Sequence, residues 1–369
     1  MRSVPARTGR SLVAGLSTLA LSAGALTGPV SAAPAPAAVQ QAVAQQAALQ
    51  QGAGQHEGAR LHTNAELARA LKHIERASHG KVRVRSIGTS NQGRPVWFAT
   101  LGTGPKRLMY VTQQHGDEPL GTESALLALR TLGLKNDRAS RALRSKVTLG
   151  IVVRANPDGH QLQWRYNYDP TADPEYGEPG KGYDMNRYHD PAMSPEDNPV
   201  PEAAAIQRRF AAFRPSIMVD YHMQGRYAFP SPDGREITTS VYWPSNPGVP
   251  ADALKSSKQV GVRVHDAFTK AGAVVSQYPG GTYEGIARNA YGLRGAASVL
   301  VELSDLPPER QNFQIRTAYF SMVDLARAAA AGKLEGIAPG RADQIPLRGP
   351  ALPDDGAASK TAHDHEDAA

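Results

Sequence analysis

The sequence predicts a single α/β domain on a buried, largely parallel sheet, and three observations carry that prediction. Apolar runs such as Leu108 to Thr112, Val147 to Val153 and Ser298 to Leu303 are continuous rather than alternating, as in strands covered on both faces. Helical stretches separate these runs, which suits the crossovers a parallel sheet requires. No linker, repeat or composition shift interrupts residues 59–335, so one domain accounts for them.

The elements follow in order. Thr63-Asn64-Ala65-Glu66 is a capping-box pattern, and Leu67, Leu71 and Ile74 then share one helical face. Val82 to Ile87, Val96 to Leu101 and Leu108 to Thr112 read as strands, Gly121 to Leu132 as a helix, and Val147 to Val153 as the most apolar strand. Pro201 suits a first helical position and opens a helix leading into the strand Ile217 to Tyr221. A helix within 251–271, short strands near Val274 and at Ser298 to Leu303, and a last helix from Asn312 to Ala331 complete the series. Residues 156–199 are long, polar and rich in Gly, Pro, Asp and Tyr, and such a stretch inside a compact domain points to function.

Composition removes whole classes of chemistry. The 369 residues are 41% hydrophobic and 20% charged, within the globular range. With no Cys, disulfides, thiolate metal sites and cysteine nucleophiles are excluded, so a bound metal must rest on His, Asp or Glu. Arg2, Arg7 and Arg10 precede an apolar run from Leu12 to Leu26 and the small residues Val30-Ser31-Ala32-Ala33, the order of a secretory signal peptide over residues 1–32. Export is therefore expected, without stable membrane insertion afterwards. Cleavage after Ala32 removes three arginines and takes the net charge from +7 to +4, and the remaining basic residues are scattered, so no nucleic-acid partner is expected. Residues 33–58, rich in Ala, Gln and Pro, read as a linker or short pro-segment, and residues 336–369 as a disordered tail whose closing His363-Asp364-His365-Glu366 is solvated.

The chemistry is carried by four features. Gln114-His115-Gly116-Asp117-Glu118 follows an apolar strand directly, placing an imidazole and a carboxylate at a strand's carboxyl end, where α/β sheets hold their sites. An H-x-x-E pair alone is common on surface turns. His222 also ends an apolar run, and alone it reads as a core histidine; together with His115 and Glu118 it forms a His₂Glu set with one open position. Glu302 interrupts the apolar run 297–303, a costly place for a carboxylate unless it pairs with an Arg, lies at an edge, or works at a site as a general base. Arg165, Asn186 and Arg187 lie in the long polar stretch; arginine suits a carboxylate or an oxyanion, although each alone also fits ordinary loop charge.

In this order, His115-x-x-Glu118, Asn156-Pro157-Asp158-Gly159, Arg165-x-Asn167, Asp184-x-Asn186-Arg187, His222 and Glu302 resemble the zinc metallocarboxypeptidases of the carboxypeptidase A type, over about residues 60–330. The resemblance implies a mixed, eight-stranded sheet between helices, one zinc ion on His115, Glu118 and His222, and Glu302 as general base. It implies Arg165 at the oxyanion, and Asn186 and Arg187 on the terminal carboxylate of a peptide substrate. Two imidazoles and a carboxylate suit zinc. The protein is expected to act as a monomer on peptide or protein C-termini.

The resemblance also implies a mobile tyrosine about twenty residues before the base. Tyr283 fits that spacing best and Tyr278 is the alternative. The family's usual pocket motif is replaced by residues 286–295, in which Arg288 or Arg294 would favour an acidic side chain or pair within the fold. A rival reading with the same site residues is a zinc amidase acting on cell-wall peptides. A G-x-S-x-G elbow is absent, and Gly180-Lys181-Gly182 lacks the Ser or Thr of a phosphate loop.

Overall fold

The computed structural model describes residues 58–353. The expected signal peptide, nearly all of the expected linker, and residues 354–369 lie outside the described residues.

Helix α1 (Asn64–Ala77) begins as the capping box requires, with Thr63 accepting from the Glu66 backbone and Glu66 reaching back to Thr63. The chain then forms β1 (Val82–Thr89), β2 (Pro95–Leu101), β3 (Lys106–Thr112), α2 (Leu120–Leu134), α3 (Arg138–Lys146), β4 (Val147–Val153) and α4 (Pro157–Leu162). After a two-stranded ribbon of β5 (Gly177–Glu178) and β6 (Gly182–Tyr183) come α5 (Pro201–Phe213), β7 (Ile217–Gln224) and β8 (Thr239–Tyr242). Helix α6 (Ala251–Lys270), β9 (Val275–Gln277), α7 (Ala287–Leu293), β10 (Ala297–Ser304) and α8 (Pro308–Ala330) close the domain.

Eight strands make one mixed sheet in the order β1-β2-β4-β3-β7-β10-β8-β9. Four neighbouring pairs, including β4/β3, β3/β7 and β7/β10, are parallel and three are antiparallel. Both faces are covered. On one face Leu108 and Tyr110 of β3 and Val299 and Val301 of β10 pack with α1, α2, α6 and α8; on the other Met109, Val111 and Met218 pack with α5 and α7. This period of two within an unbroken apolar run explains why the strands read as continuous.

Several elements were not expected from the sequence, among them α3, β8 and α7. Helix α3 is nine residues long and buries little beyond Ser140, Leu143 and Arg144, whereas β8 and α7 are too short to show a period. The tail expectation needs correction up to residue 353. Residues 339–344 form a 3₁₀ turn, and the chain beyond it is stitched down by Gln277 N to Pro346 O, Arg348 N to Gln277 O and Gly349 N to Ala228 O hydrogen bonds. Backbone pairing, which composition does not reveal, orders this segment.

Candidate active site

The site lies at the carboxyl ends of the parallel strands β3, β7 and β10, on the sheet face that meets α5 and α7. Three side chains converge there, each 3% exposed or less: His115 and Glu118 from the turn after β3, and His222 from the end of β7. One ligand atom from each lies within 4.8 Å of the others. Gly116 permits the turn, since a Cβ there would sit 2.0 Å from the Gly159 carbonyl carbon in the Asn156-Pro157-Asp158-Gly159 turn.

Hydrogen bonding orients both rings. His222 Nε2 lies 2.7 Å from Asp220 Oδ2 and His115 Nε2 lies 3.1 Å from Asp184 Oδ1. A carboxylate only accepts, so each Nε2 carries the proton and each Nδ1 of the neutral ring presents a lone pair. Those two Nδ1 atoms face each other at 3.1 Å, with Glu118 oxygens at 2.7 Å from His115 and 3.1 Å from His222. Acceptors gathered so closely need a cation. Ligands about 2.0–2.1 Å from a tetrahedral ion stand about 3.3 Å apart, close to the spacing found here. The charge balance agrees: burial works against ionisation, yet His115 and His222 hold Glu118 well below the usual carboxylate range. Burial likewise opposes charging of His222, but Asp220 and Glu118 push it well above the usual imidazole value, so that a proton takes the Nδ1 position wherever no metal ion does.

A chain of hydrogen bonds extends behind His222. Asp220 Oδ2 also accepts from Gln114 Nε2, Gln114 Oε1 lies 2.6 Å from His189 Nε2, and His189 Nδ1 lies 3.0 Å from the Tyr291 hydroxyl. Burial, the largest influence, pushes His189 down to about 3, so its ring is neutral. Its Nε2 then donates to Gln114 and its Nδ1 accepts from Tyr291, so every donor in the chain points consistently toward Asp220. Gln114, Asp220 and His189 went unrecognised in the sequence; the D-x-H spacing on one strand face was the available signal.

Arg165 is placed by Asn156, whose amide Nδ2 donates to the Arg165 and Tyr166 carbonyls. The guanidinium gives two hydrogen bonds to Asp184 Oδ2, at 2.7 and 3.2 Å, and a third at 3.0 Å to His115 Nδ1. Asn167, by contrast, serves the loop, pairing with Tyr183 through its backbone and side chain. Asn186 and Arg187 sit in a 3₁₀ turn capped by Asp184, and both line the cavity in front of His115 and Glu118.

Glu302 pairs with His222 across the parallel ladder of β10 and β7 and lines the same cavity. Its Oε2 is buried without a hydrogen-bond partner. Burial first, with Glu118 adding to it, pushes this carboxyl up to about 8, against the pull of His222. A carboxyl facing a cleft, with its affinity for protons raised by burial, is suited to proton transfer.

Of the two tyrosines expected near the site, Tyr283 lies tilted against Tyr176, ring centroids 4.8 Å apart, and its carbonyl accepts from Asn289 Nδ2, while Tyr278 lines the cavity. The two arginines of the 286–295 stretch also separate. Arg294 donates to the His189, Ala290 and Asp190 carbonyls as part of the fold, and Arg288 lines the cavity.

Comparison with known proteins agrees with this geometry. The solved carboxypeptidase A from Helicoverpa armigera superposes with a TM-score of 0.56 at 20% identity, covering 79% of this chain and 81% of that one. A metallo-carboxypeptidase from Burkholderia cenocepacia gives 0.55 at 19% identity, covering 73% and 69%. The Arabidopsis thaliana carboxypeptidase SOL1 is 30% identical over 113 residues, 28% of this chain and only 23% of that relative. The zinc carboxypeptidase model, peptidase M14, matches residues 67–308, which contain every ligand, arginine and carboxylate described above. With well over half the chain matched, and with His115, Glu118, His222 and Glu302 meeting at one strand edge, this protein belongs to the zinc carboxypeptidase family.

Proposed function

We propose that the protein is an exported metallocarboxypeptidase that hydrolyses the last peptide bond of peptides with a free C-terminus. The observation that carries this reading is the single cavity lined by His115, Glu118, Glu302, Arg165, Asn186 and Arg187. One zinc ion per chain fits the Nδ1, Nδ1 and carboxylate donors, and it would supply Lewis acidity toward a carbonyl and a lowered pKa for water.

The residues divide the remaining work. Arg187 and Asn186 bind the terminal carboxylate and so select free C-termini. Arg165 donates to the carbonyl oxygen as it gains negative charge, with Asp184 holding its guanidinium in place. Glu302 takes a proton from the attacking water and passes it to the departing amine nitrogen, a task suited to its raised affinity for protons. Export rests on the order of features in residues 1–32, and a monomer is sufficient because every site residue comes from one chain.

The test is mass spectrometry of the mature, zinc-loaded chain incubated with peptides ending in free or amidated C-termini, beside Glu302→Gln. Loss of single residues from free termini only, absent in the variant, is expected. Survival of every free-ended peptide, or equal cutting of amidated ones, overturns the reading.

A further inference from the structure

The cavity is lined by further residues beside those assigned to the metal and to the terminal carboxylate, and on the carboxypeptidase reading the side chain of the residue being released must meet them. Its walls are partly apolar, from Met223, Ile286 and Leu300, and partly polar, from Gln224, Tyr278 and Arg288.

Arg288 gives this pocket its character. The residue is 2% exposed, donates to the Gly281 carbonyl and to Ser245 Oγ, and lies over the Tyr242 ring at 4.9 Å. The loop is shaped around it: a Cβ at Gly280 would stand 2.4 Å from Arg288 Nη2. A second cation stands behind the tyrosine wall. Arg348, from the segment that follows the 3₁₀ turn 339–344, lies over the Tyr278 ring at 4.5 Å and the Tyr227 ring at 3.7 Å. It donates to Gln224 Oε1, while Gln224 Nε2 is held by Ser240 and Ser304, so a wall residue of the pocket is clamped between a cation and the sheet. Asp220, the carboxylate paired with Leu300 in the ladder, directs Oδ2 to His222 and Gln114.

A buried guanidinium at the wall of a pocket favours a carboxylate and opposes an ammonium by charge. We propose that the residue released is acidic, the side-chain carboxylate of a C-terminal glutamate or aspartate binding Arg288, with Arg348 as the positive backing of the pocket. This proposal rests on the carboxypeptidase reading.

The test uses the zinc-loaded protein and four peptides identical except for a last residue of Glu, Gln, Leu or Lys. A kcat/KM for Glu about 10²-fold above Gln and Leu, with Lys lowest, is expected for a site built to bind a charged group. Arg288→Gln should bring Glu and Gln together, and Arg288→Lys should retain part of the preference. A readout without turnover is calorimetry of N-acetylglutamate, N-acetylglutamine and N-acetylleucine on Glu302→Gln, where the glutamate form should bind tightest. Equal rates for Glu and Gln, or a preference for Leu, overturn the proposal even if Arg288→Gln fails to fold. A preference for Lys overturns it too. If no peptide is cut, the carboxypeptidase reading fails, and the calorimetric order alone decides whether Arg288 selects acidic groups.

Discussion

The two faces of β7 and β10 divide the labour of the molecule. On β10, Val299, Val301 and Leu303 enter the core beneath the long helices, whereas Leu300 and Glu302 turn into the cavity. On β7, Val219 and Tyr221 join the same core, while His222 joins the candidate metal set with Asp220 bonded behind it. Neighbouring residues, one peptide bond apart, serve stability and chemistry. Strand parity makes this possible: side chains alternate with period two, so a slip of one residue would exchange Val301 with Glu302 and lose both functions. The polar face is affordable only because the apolar face is complete.

This division can be broken by substitutions on either side of it. Glu302→Gln changes the cavity face alone. It should lower kcat/KM by about 10³-fold, within the usual range for a lost general base, while zinc content by mass spectrometry stays at the wild-type value. Loss of zinc in that variant would place Glu302 among the ligands instead.

Leu303→Ala, on the opposite face of the same strand, should show the reverse pattern. A fully buried leucine truncated to alanine typically loses about 2–5 kcal/mol. Chemical denaturation should register that loss, and kcat of the folded fraction should be unchanged. A large fall in kcat would show that the two faces are coupled.

Asp220→Asn sharpens the comparison within the polar face. It keeps the shape but removes the charge that holds His222 Nε2–H, and partners of this kind are typically worth about 10–100-fold in metal affinity. Competition with a chelator measures it, and unchanged affinity would reduce the Tyr291-His189-Gln114-Asp220 chain to packing.

A pH dependence away from both strands concerns Glu202, buried in the first turn of α5 with Asn167 Nδ2 at 3.3 Å. Burial, followed by weaker influences, pushes its carboxyl up to about 8 from 4.5. Between those values the folded protein keeps a proton that the unfolded chain has lost, so stability falls as pH rises through the window. One such group contributes a slope of at most about 1.4 kcal/mol per pH unit. Glu202→Gln should flatten that decline in a series of denaturation curves from pH 5 to 8. An unaltered slope would mean that Glu202 ionises normally.

Much of this was legible along the chain because local rules wrote it there. The capping box at Thr63, the unbroken run of β4, Pro201 at the start of α5, and the placing of His115 just after β3 and His222 near the end of β7 follow from composition and periodicity. The candidate metal set was legible because its three residues, two His and one Glu, each lay at or just after the end of an apolar strand. Short elements such as β8 and α7 were not, since four to seven residues hold too little period to register.

What only the tertiary structure decided is which distant residues meet. Sequence spacing left Tyr283 and Tyr278 both in play, and the fold sets the Tyr283 ring beside Tyr176 and Tyr278 in the cavity wall. Residues 286–295 offered two equivalent arginines, and only packing separates Arg294, which holds carbonyls, from Arg288, which faces the pocket. The segment around Arg348 carried the composition of a tail, yet its backbone pairs with Gln277 and Ala228 and delivers a cation 124 residues along the chain from Gln224. Periodicity and capping act within a few residues, so sequence reveals them directly; pairings across such separations depend on which backbone groups are left to bond once the sheet has formed.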